Sequence, residues 1–408
     1  MRTAVNTILR FSVKPYGIVV ITVMLSFLAW LIPELHIIDK GFEQSQKLLS
    51  LGGLTVLVWY SLIVICAWLF FRLGRASEGL LGSRDRSAGL DDYGAYCFLS
   101  AVGFVGFVYV ASFMISSLGF ESMFMAVVSG EANTLHRKLY EDYSIGLFSL
   151  RYVVILSGGL AIYRIISRTS RSILDIANIL MLLALAVIAS RLSVVFALLI
   201  GLGLWIVNCP RIKVKFGRLL LLSVAVFVLF SLYNYSRNIG YYTAQGIDNF
   251  FAAGISEIVR YLASPFQGGL AAGNHLDRII TDPARAYLYT GIDLRLSTNS
   301  ALLGLIGTHG YLFIPVMLLT LMVSAFLMGM AYCRRGKYSM LVYFVLLYCY
   351  AELWRIYMFR SGIVITLLAF SLLAPFASRA IKSAFRLLTS SFRIERKAVP
   401  GPLNSEVP

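Results

Sequence analysis

The sequence predicts an all-α, polytopic integral membrane protein, and three observations support this fold class. Hydrophobic residues make up 59% of the 408-residue chain and charged residues only 14%, whereas soluble domains are about one quarter charged. The mean hydropathy is +0.79. The apolar residues fall into runs of about 20, long enough to cross a bilayer as helices. Counting these runs gives about ten transmembrane helices, because lipid offers backbone N–H and C=O groups no partner outside a helix.

The apolar runs divide the chain into spans and polar connections. The longest connection is residues 236–299, and the tail 379–408 ends in a proline-rich polar stretch. We expect a single membrane domain over residues 1–408, with 236–299 as a large, partly helical loop and 379–408 as a loose extension. The predicted spans lie at 15–33, 50–71, 93–118, 144–163, 173–189, 192–208, 219–235, 311–332, 339–358 and 361–377.

Lysine and arginine set the orientation of the spans, because basic loops stay on the cytoplasmic side. With Asp175 included, the ends and alternate connections hold 23 of the 36 basic residues and 7 of the 20 acidic residues. The net charge of +16 therefore lies on one side of the membrane. Both termini are expected in the cytoplasm, and the loop 236–299 is expected outside it. The basic excess then reflects topology and attraction to anionic lipid rather than nucleic-acid binding. The basic segments are 1–14, 72–92, 164–172, 209–218, 333–338 and 379–408.

The outer loop is expected to contain helices. It has 64 residues, and a structureless loop of that length is unusual in a compact protein. We expect helices around 246–263 and 274–288, the first one starting near Asp248. The intervening segment 265–273 carries three glycines, which free the backbone. This segment is therefore expected to be a flexible link and is a candidate lid.

The sequence argues against several chemistries by the motifs that it lacks. It has no GxxxxGK[ST] phosphate loop and no Asp-x-Asp pair of the kind that holds a metal with nucleotide sugars. Its four histidines are widely spaced, and its five cysteines form no CxxC pair. No cofactor and no metal site is therefore expected. A group-transfer reaction on the outer side of the membrane, without nucleotides, then needs a donor substrate that already carries its leaving group.

Arginines are placed where an anion could bind. The outer loop has five arginines and no lysine, and guanidinium groups make two-pronged contacts with carboxylate or phosphate oxygens. Charges also occur within or between spans, where they are costly. These are Arg151, Arg191, Glu352, Arg355 and Arg360. Glu352 and Arg355 are three residues apart and can pair on a helix.

Each of these charges also has a structural interpretation. The loop arginines can form surface ion pairs, and Glu352 with Arg355 can lock two helices together. Arg191 and Arg360 can reach lipid headgroups from the ends of their spans. If the charges instead converge, they form an outward-facing cationic cavity. Its natural guest is an anionic lipid headgroup, above all the diphosphate of a lipid-linked sugar.

Several stretches resemble a known family. They are SRLSVVFALLIGL at 190–202, an outer loop that opens YNYSRN and continues RYLASPFQGG, and STNSALLGLIGTHGYLFI at 297–314. With about ten spans, the chain resembles bacterial O-antigen and oligosaccharide repeat-unit polymerases of the Wzy type over nearly its full length. These are membrane-embedded, GT-C-like glycosyltransferases. O-antigen ligases usually carry a histidine before the asparagine, where this chain has Thr298 before Asn299. The arginine-x10-glycine pattern of some polymerases is absent.

The resemblance implies a metal-independent polymerase of undecaprenyl-diphosphate-linked oligosaccharides in the bacterial inner membrane. The glycan is transferred to an incoming lipid-linked repeat unit on the periplasmic face, and a chain-length regulator is an implied partner. Fixed guanidinium groups then stabilise the departing diphosphate. Three residues are candidates for the base: Glu257, Glu352 and His309. The candidate contacts to diphosphate or sugar are Arg151, Arg191, Arg237, Arg260, Arg295, Asn299, Arg355 and Arg360.

Two other functions fit parts of the pattern. An O-antigen ligase shares the fold and the arginines, and Thr298 argues only weakly against it. A flippase for lipid-linked oligosaccharides also needs an arginine-lined cavity, but it is expected to show charges deep in several spans or an internal two-fold repeat. We find neither feature in the sequence.

Overall fold

The structure is a computed structural model that describes most of the chain. Within the described residues the regular elements are helical, and the extended pairing among them is one isolated antiparallel bridge between Gly89 and Lys337. The described residues are 2–34, 42, 45–81, 89–90, 92–128, 146–167, 172–188, 192–209, 217, 221, 224–225, 227–228, 231–232, 235, 242–243, 246, 249–292, 299–334 and 336–397.

The named α-helices are labelled in chain order, and short 3-10 segments connect some of them. The α-helices are α1 (Arg2–Ser12), α2 (Pro15–Glu34), α3 (Leu51–Leu81), α4 (Tyr93–Leu118), α5 (Phe120–Val128), α6 (Val153–Ser167), α7 (Ile173–Ile188), α8 (Leu192–Asn208), α9 (Phe250–Asn274), α10 (Leu276–Thr281), α11 (Ala301–His309), α12 (Phe313–Cys333), α13 (Ser339–Glu352) and α14 (Gly362–Lys397). The 3-10 segments are Leu147–Tyr152, Pro283–Thr290, Gly310–Leu312 and Met358–Arg360.

The helices confirm an all-α protein with membrane-spanning character. Within the described ranges, six helical segments are long and apolar enough to cross a membrane: Pro15–Ile32, Leu51–Glu78, Tyr93–Leu118, Leu147–Ser167, Ala301–Cys333 and Gly362–Ser383. The spans expected at 173–189, 192–208 and 339–358 are shorter apolar helices, α7, α8 and α13. Most of the span expected at 219–235 lies outside the described residues. The figure of ten spans is therefore not confirmed.

Helix α13 lies at the centre of the bundle. It packs against α2, α8, α12 and α14, and nearly all of its side chains are buried. A helix that is apolar on every side is stable when it is enclosed by others, so the sequence signal of a span here marks an interior helix. It ends at Glu352, several residues before the expected boundary at 358. Tyr348 of α13 stacks on Phe196 of α8, with ring centroids 3.8 Å apart.

Glycines allow the closest helix crossings. A Cβ at Gly74 of α3 would lie 2.0 Å from the Phe326 carbonyl oxygen, and one at Gly329 of α12 would lie 2.3 Å from that of Phe71. Small residues let helix backbones approach in membranes, where lipid gives no hydrophobic drive for helices to associate. The α3–α12 pair therefore depends on the absence of side chains at both positions.

The outer loop is organised by one long helix, and the expected flexible link is wrong. Helix α9 runs unbroken from Phe250 to Asn274, with Pro265 inside it, and so includes the whole segment 265–273. The glycines there serve close packing: a Cβ at Gly273 would lie 2.6 Å from the Thr55 side chain. No flexible link exists at this position, so the lid hypothesis loses its basis.

Buried Gln267 anchors α9 to the rest of the protein. Its Oε1 accepts hydrogen bonds from Trp30 Nε1 at 2.9 Å and from the Gln46 backbone N–H at 3.2 Å. Its Nε2 donates to the Thr290 carbonyl at 2.9 Å. One side chain thus ties α9 to α2, to the segment before α3 and to the 3-10 segment after α10.

Two further expectations differ from the structure. The helix expected at 274–288 is interrupted: α10 ends at Thr281, and Pro283–Thr290 continues as a 3-10 segment. Proline fixes φ and lacks an N–H, which favours a break at this point. The tail, expected to be loose from 379, continues as α14 to Lys397; residues 398–408 lie outside the described part.

Polar contacts group the connections into two ends of the bundle. At one end, Arg334 binds Glu78 at 2.9 Å and Lys382 binds Asp92 at 2.8 Å. These contacts join segments that the charge count places together in the cytoplasm. At the other end, Asn274 donates to Gln46 Oε1 at 2.8 Å, which joins two segments expected outside. The grouping agrees with the predicted topology, and the side that each end faces stays a prediction.

Labelling of introduced cysteines tests that topology. Leu49 at the outer end is 98% exposed, and Ser383 at the opposite end is also exposed. With the five native cysteines replaced, a membrane-impermeant maleimide added to intact spheroplasts should label Leu49→Cys and not Ser383→Cys. After permeabilisation both should react. If only Ser383→Cys were labelled in intact spheroplasts, the topology would be the reverse of the one predicted.

The α3–α12 crossing gives a stability prediction. Gly329→Ala places a methyl group against the Phe71 carbonyl oxygen, and such overpacking costs about 1–3 kcal/mol. The thermal unfolding midpoint in detergent should therefore fall. The control is Gly362→Ala, where a Cβ meets nothing within 4 Å. Equal midpoints for the two variants would show that the crossing relaxes without cost.

Candidate functional site: a cationic cavity at the outer end

A cavity of about 730 Å³ lies at the end of the bundle that the charge distribution predicts to face outside. Helix α11 forms one wall, the 3-10 segment Pro283–Thr290 a second, and residues 355–361 after α13 a third. The cavity is hereafter called the cationic cavity. Its polar and charged lining residues are Tyr287, Asn299, Ser300, Thr308, His309, Arg355, Tyr357, Arg360 and Ser361.

Two residues fix the start of α11 beside α9. Ser300 is the N-cap, and its side chain accepts from the Leu302 N–H at 3.2 Å. The Asn299 Oδ1 accepts from the Ser300 N–H at 2.7 Å. Gly268 of α9 makes room for this turn, since a Cβ there would lie 2.4 Å from Asn299 Oδ1. Asn299 is therefore held at the cavity by a capped helix packed on a glycine.

Glycines on α11 leave the cavity open. A Cβ at Gly304 would meet nothing within 4 Å, and one at Gly307 would meet only Pro283 Cβ at 3.8 Å. Residues three apart share a helix face, so the two glycines form one bare strip along the wall. The volume of the cavity follows from this strip.

Arg360 and His309 meet across the cavity. Arg360 Nη1 lies 2.5 Å from His309 Nε2. Arginine can only donate, so in this contact His309 Nε2 can only be the acceptor. The contact joins α11 to the 3-10 segment Met358–Arg360, although the two residues are 51 apart in sequence.

Arg355 is held from two sides. Its Nε donates to Glu352 Oε2 at 2.6 Å, which confirms the pairing expected from their spacing. Its guanidinium carbon lies 5.1 Å from the centre of the Tyr261 ring of α9, a cation–π contact. The side chain is only 6% exposed. Its buried Nη2 has no hydrogen-bond partner among the described residues.

The charge balance of the cationic cavity favours anions. Among the described lining residues, two are arginines and none is acidic. Glu352 offsets part of the charge of Arg355 from behind the wall. The partner that the structure shows for Arg360 is His309, which has no negative charge to offset the guanidinium. Two arginines that line one cavity are suited to binding phosphate oxygens.

The structure brings four of the predicted site residues together. Asn299, His309, Arg355 and Arg360 all line the cationic cavity, and Glu352 lies directly behind Arg355. They come from different segments of the chain, so their convergence is a property of the fold.

Three other predicted residues lie elsewhere. Arg151 is fully buried in the 3-10 segment before α6, and its Nη2 donates to the Tyr152 hydroxyl at 2.9 Å. Arg260 is buried in α9. The Glu257 carboxylate accepts a short hydrogen bond from the Tyr242 hydroxyl. None of the three lines the cavity among the described residues, and their proposed roles stay predictions.

The remaining predicted contacts fall outside the described residues. These are Arg191, Arg237 and Arg295. By contrast, Arg285 pairs with Asp282 at 3.5 Å on the surface, as expected for a structural arginine. Surface pairs of this kind contribute about 0–1 kcal/mol.

Sequence reasoning missed several parts of the cavity. Tyr357, Thr308 and Ser361 line it, but ordinary polar residues near span ends carry no distinguishing signal. The Gly304–Gly307 spacing is a signal that sequence alone offers, since it places two absent side chains on one helix face.

Comparison with known proteins finds no matching family model, no matching curated protein and no matching solved structure. Arguments about function therefore depend on the residues and the geometry of the chain itself.

From the two arginines that line the cationic cavity, we predict that it binds a diphosphate. Inorganic pyrophosphate should bind the purified protein, and Arg360→Gln should weaken it about ten- to hundredfold, because hydrogen bonds to charged groups contribute about 1.5–3 kcal/mol. Isothermal titration calorimetry measures this. Arg285→Gln is the matched control, since that arginine is exposed and does not line the cavity. Equal affinities for the two variants would contradict the assignment of the anion site.

Proposed function

We propose that this protein is a metal-independent glycosyltransferase that polymerises lipid-linked oligosaccharide repeat units. The observation that supports it most directly is the cationic cavity: arginine-lined, free of acidic side chains among its described residues, and adjacent to membrane-spanning helices. A lipid-linked sugar diphosphate has the matching anionic group. The sequence resemblance to Wzy-type polymerases supplies the class of substrate, undecaprenyl-diphosphate-linked oligosaccharides.

In this proposal Arg360 and Arg355 hold the diphosphate of the donor. The bond between the anomeric carbon of the donor sugar and the diphosphate oxygen breaks, and negative charge develops on that oxygen. The two guanidinium groups stabilise this charge more in the transition state than in the ground state. Arg355 is pre-oriented by Glu352 and Tyr261, so little reorganisation is needed when the charge appears. Tyr287 and Tyr357 offer aromatic faces for sugar rings.

The hydroxyl of the acceptor must lose a proton as the new glycosidic bond forms. His309 is the candidate base that lines the cavity; Glu257 and Glu352 do not line it within the described residues. Its Nε2 lies against Arg360 Nη1 in this structure. When Arg360 turns towards a diphosphate, Nε2 becomes free to take the proton of the hydroxyl. Glu352 then serves to position Arg355.

The membrane placement belongs to the same proposal. The cavity lies at the end of the bundle that the charge distribution assigns to the outside. In a bacterial inner membrane this is the periplasmic face, where nucleotides are absent and a lipid diphosphate is the available leaving group. Both termini would then be cytoplasmic.

The surface polysaccharide of a deletion strain tests the function. Loss of the gene should leave a single repeat unit on the lipid core in place of a ladder of long chains. Complementation with Arg360→Lys should not restore the ladder, because lysine lacks the two-pronged geometry of guanidinium. Arg285→Lys should restore it at matched protein levels.

Other profiles point to other functions. A surviving ladder in the deletion strain would exclude polymerisation. Complete loss of repeat units from the lipid core would favour a ligase or a flippase. A full ladder with Arg360→Lys would show that the cationic cavity is not where the transfer occurs.

A further inference from the structure

An apolar groove lies beside the cationic cavity on the membrane-facing side of α12. It has a volume of about 350 Å³. Leu319, Val323 and Leu327 of α12 form one side, Leu346 of α13 contributes to the other, and Phe359 closes one wall. These five residues define what is called the apolar groove below.

The groove faces outward. Leu319, Val323 and Leu327 are 64%, 53% and 46% exposed, so lipid rather than protein covers them in a membrane. They are four residues apart in turn and share one face of the helix. At 1.5 Å per residue, the strip from Leu319 to Leu327 is about 12 Å long.

Hydroxyl groups along the groove have hydrogen-bond partners on α12 itself or on α13. The Thr320 hydroxyl donates to the Val316 carbonyl at 2.9 Å. The Ser324 hydroxyl lies 3.3 Å from the Leu321 carbonyl oxygen and 3.0 Å from the Tyr350 hydroxyl. Neither hydroxyl therefore needs a polar ligand, and the surface that the groove presents suits hydrocarbon.

The short 3-10 segment Met358–Arg360 connects the groove to the cationic cavity. Met358 and Arg360 line the cavity, whereas Phe359 between them lines the groove. The Phe359 ring is held by edge contact with Tyr350, with centroids 5.5 Å apart and planes at 90°. A cationic site and an apolar site are thus separated by one fixed side chain.

We propose that the apolar groove binds the first isoprenoid units of the lipid whose diphosphate occupies the cationic cavity. The inference rests on the proposed function, which supplies a polyisoprenoid lipid diphosphate as substrate. Charge complementarity selects the headgroup end, and continuity across Phe359 then places the chain along α12. A bulk phospholipid would cover the groove as well, but its single phosphodiester offers Arg355 and Arg360 fewer anionic oxygens than a diphosphate does.

The test compares a lipid diphosphate with its headgroup alone. The protein is placed in phosphatidylcholine nanodiscs, and binding of undecaprenyl diphosphate and of inorganic pyrophosphate is measured. Val323→Trp fills the groove and should weaken binding of the lipid diphosphate about tenfold while leaving pyrophosphate binding unchanged. The control is Leu372→Trp on α14, which is also exposed and does not line the groove. Unchanged lipid binding by Val323→Trp, or equal loss of both ligands, would overturn the proposal.

Photo-cross-linking covers the case in which Val323→Trp does not fold. A benzoylphenylalanine at position 327 should cross-link undecaprenyl diphosphate in competition with the unlabelled lipid, and one at position 372 should not. Cross-links to phosphatidylcholine alone at position 327 would show that bulk lipid fills the groove.

The two proposals fail in different ways. In one case, Val323→Trp weakens lipid binding but the deletion strain makes an unaltered polysaccharide. This result would support the proposed lipid site in the groove and contradict the proposed polymerase function. In the other case, the deletion strain makes shortened polysaccharide but Val323→Trp leaves lipid binding unchanged. This result would support the proposed polymerase function and contradict the proposed lipid site in the groove.

Discussion

The ion pair between Glu352 and Arg355 lies where the central helix α13 ends and the cationic cavity begins. Both residues are buried, and breaking a buried pair by removing one partner costs about 3–5 kcal/mol. The chain that follows carries Phe359 into the apolar groove and Arg360 into the cavity. The pair therefore fixes the direction in which the chain leaves the bundle, and both sites depend on that direction.

Helix α9 of the outer loop supports the cationic cavity from behind. Helix α9 supplies Gly268 behind Asn299, Tyr261 over Arg355 and Gln267 as an anchor to α2. These contacts hold Asn299 and Arg355 in place at the cavity. Preorganisation of this kind is what electrostatic stabilisation of a departing anion needs, because donors fixed in advance cost no reorganisation during the reaction.

Several glycines of this protein let other atoms approach closely. Gly329 admits a backbone carbonyl, Gly268 admits an amide side chain, and Gly304 leaves the space of the cavity open. From sequence, the glycines of 265–273 indicated backbone freedom. The alternative role, close packing, depends on what lies opposite, and the sequence does not contain that information.

The sequence by itself determined the helical membrane class, the pairing of Glu352 with Arg355 and the residue types suited to an anion. These follow from local composition, from hydropathy and from spacing along one helix. Only the tertiary structure decided that α13 is enclosed and that α9 is unbroken. It also decided that Asn299, His309, Arg355 and Arg360 share one cavity while Arg151 and Arg260 do not line it. Contacts between segments far apart in the chain depend on packing, and packing leaves no periodic signal in the sequence.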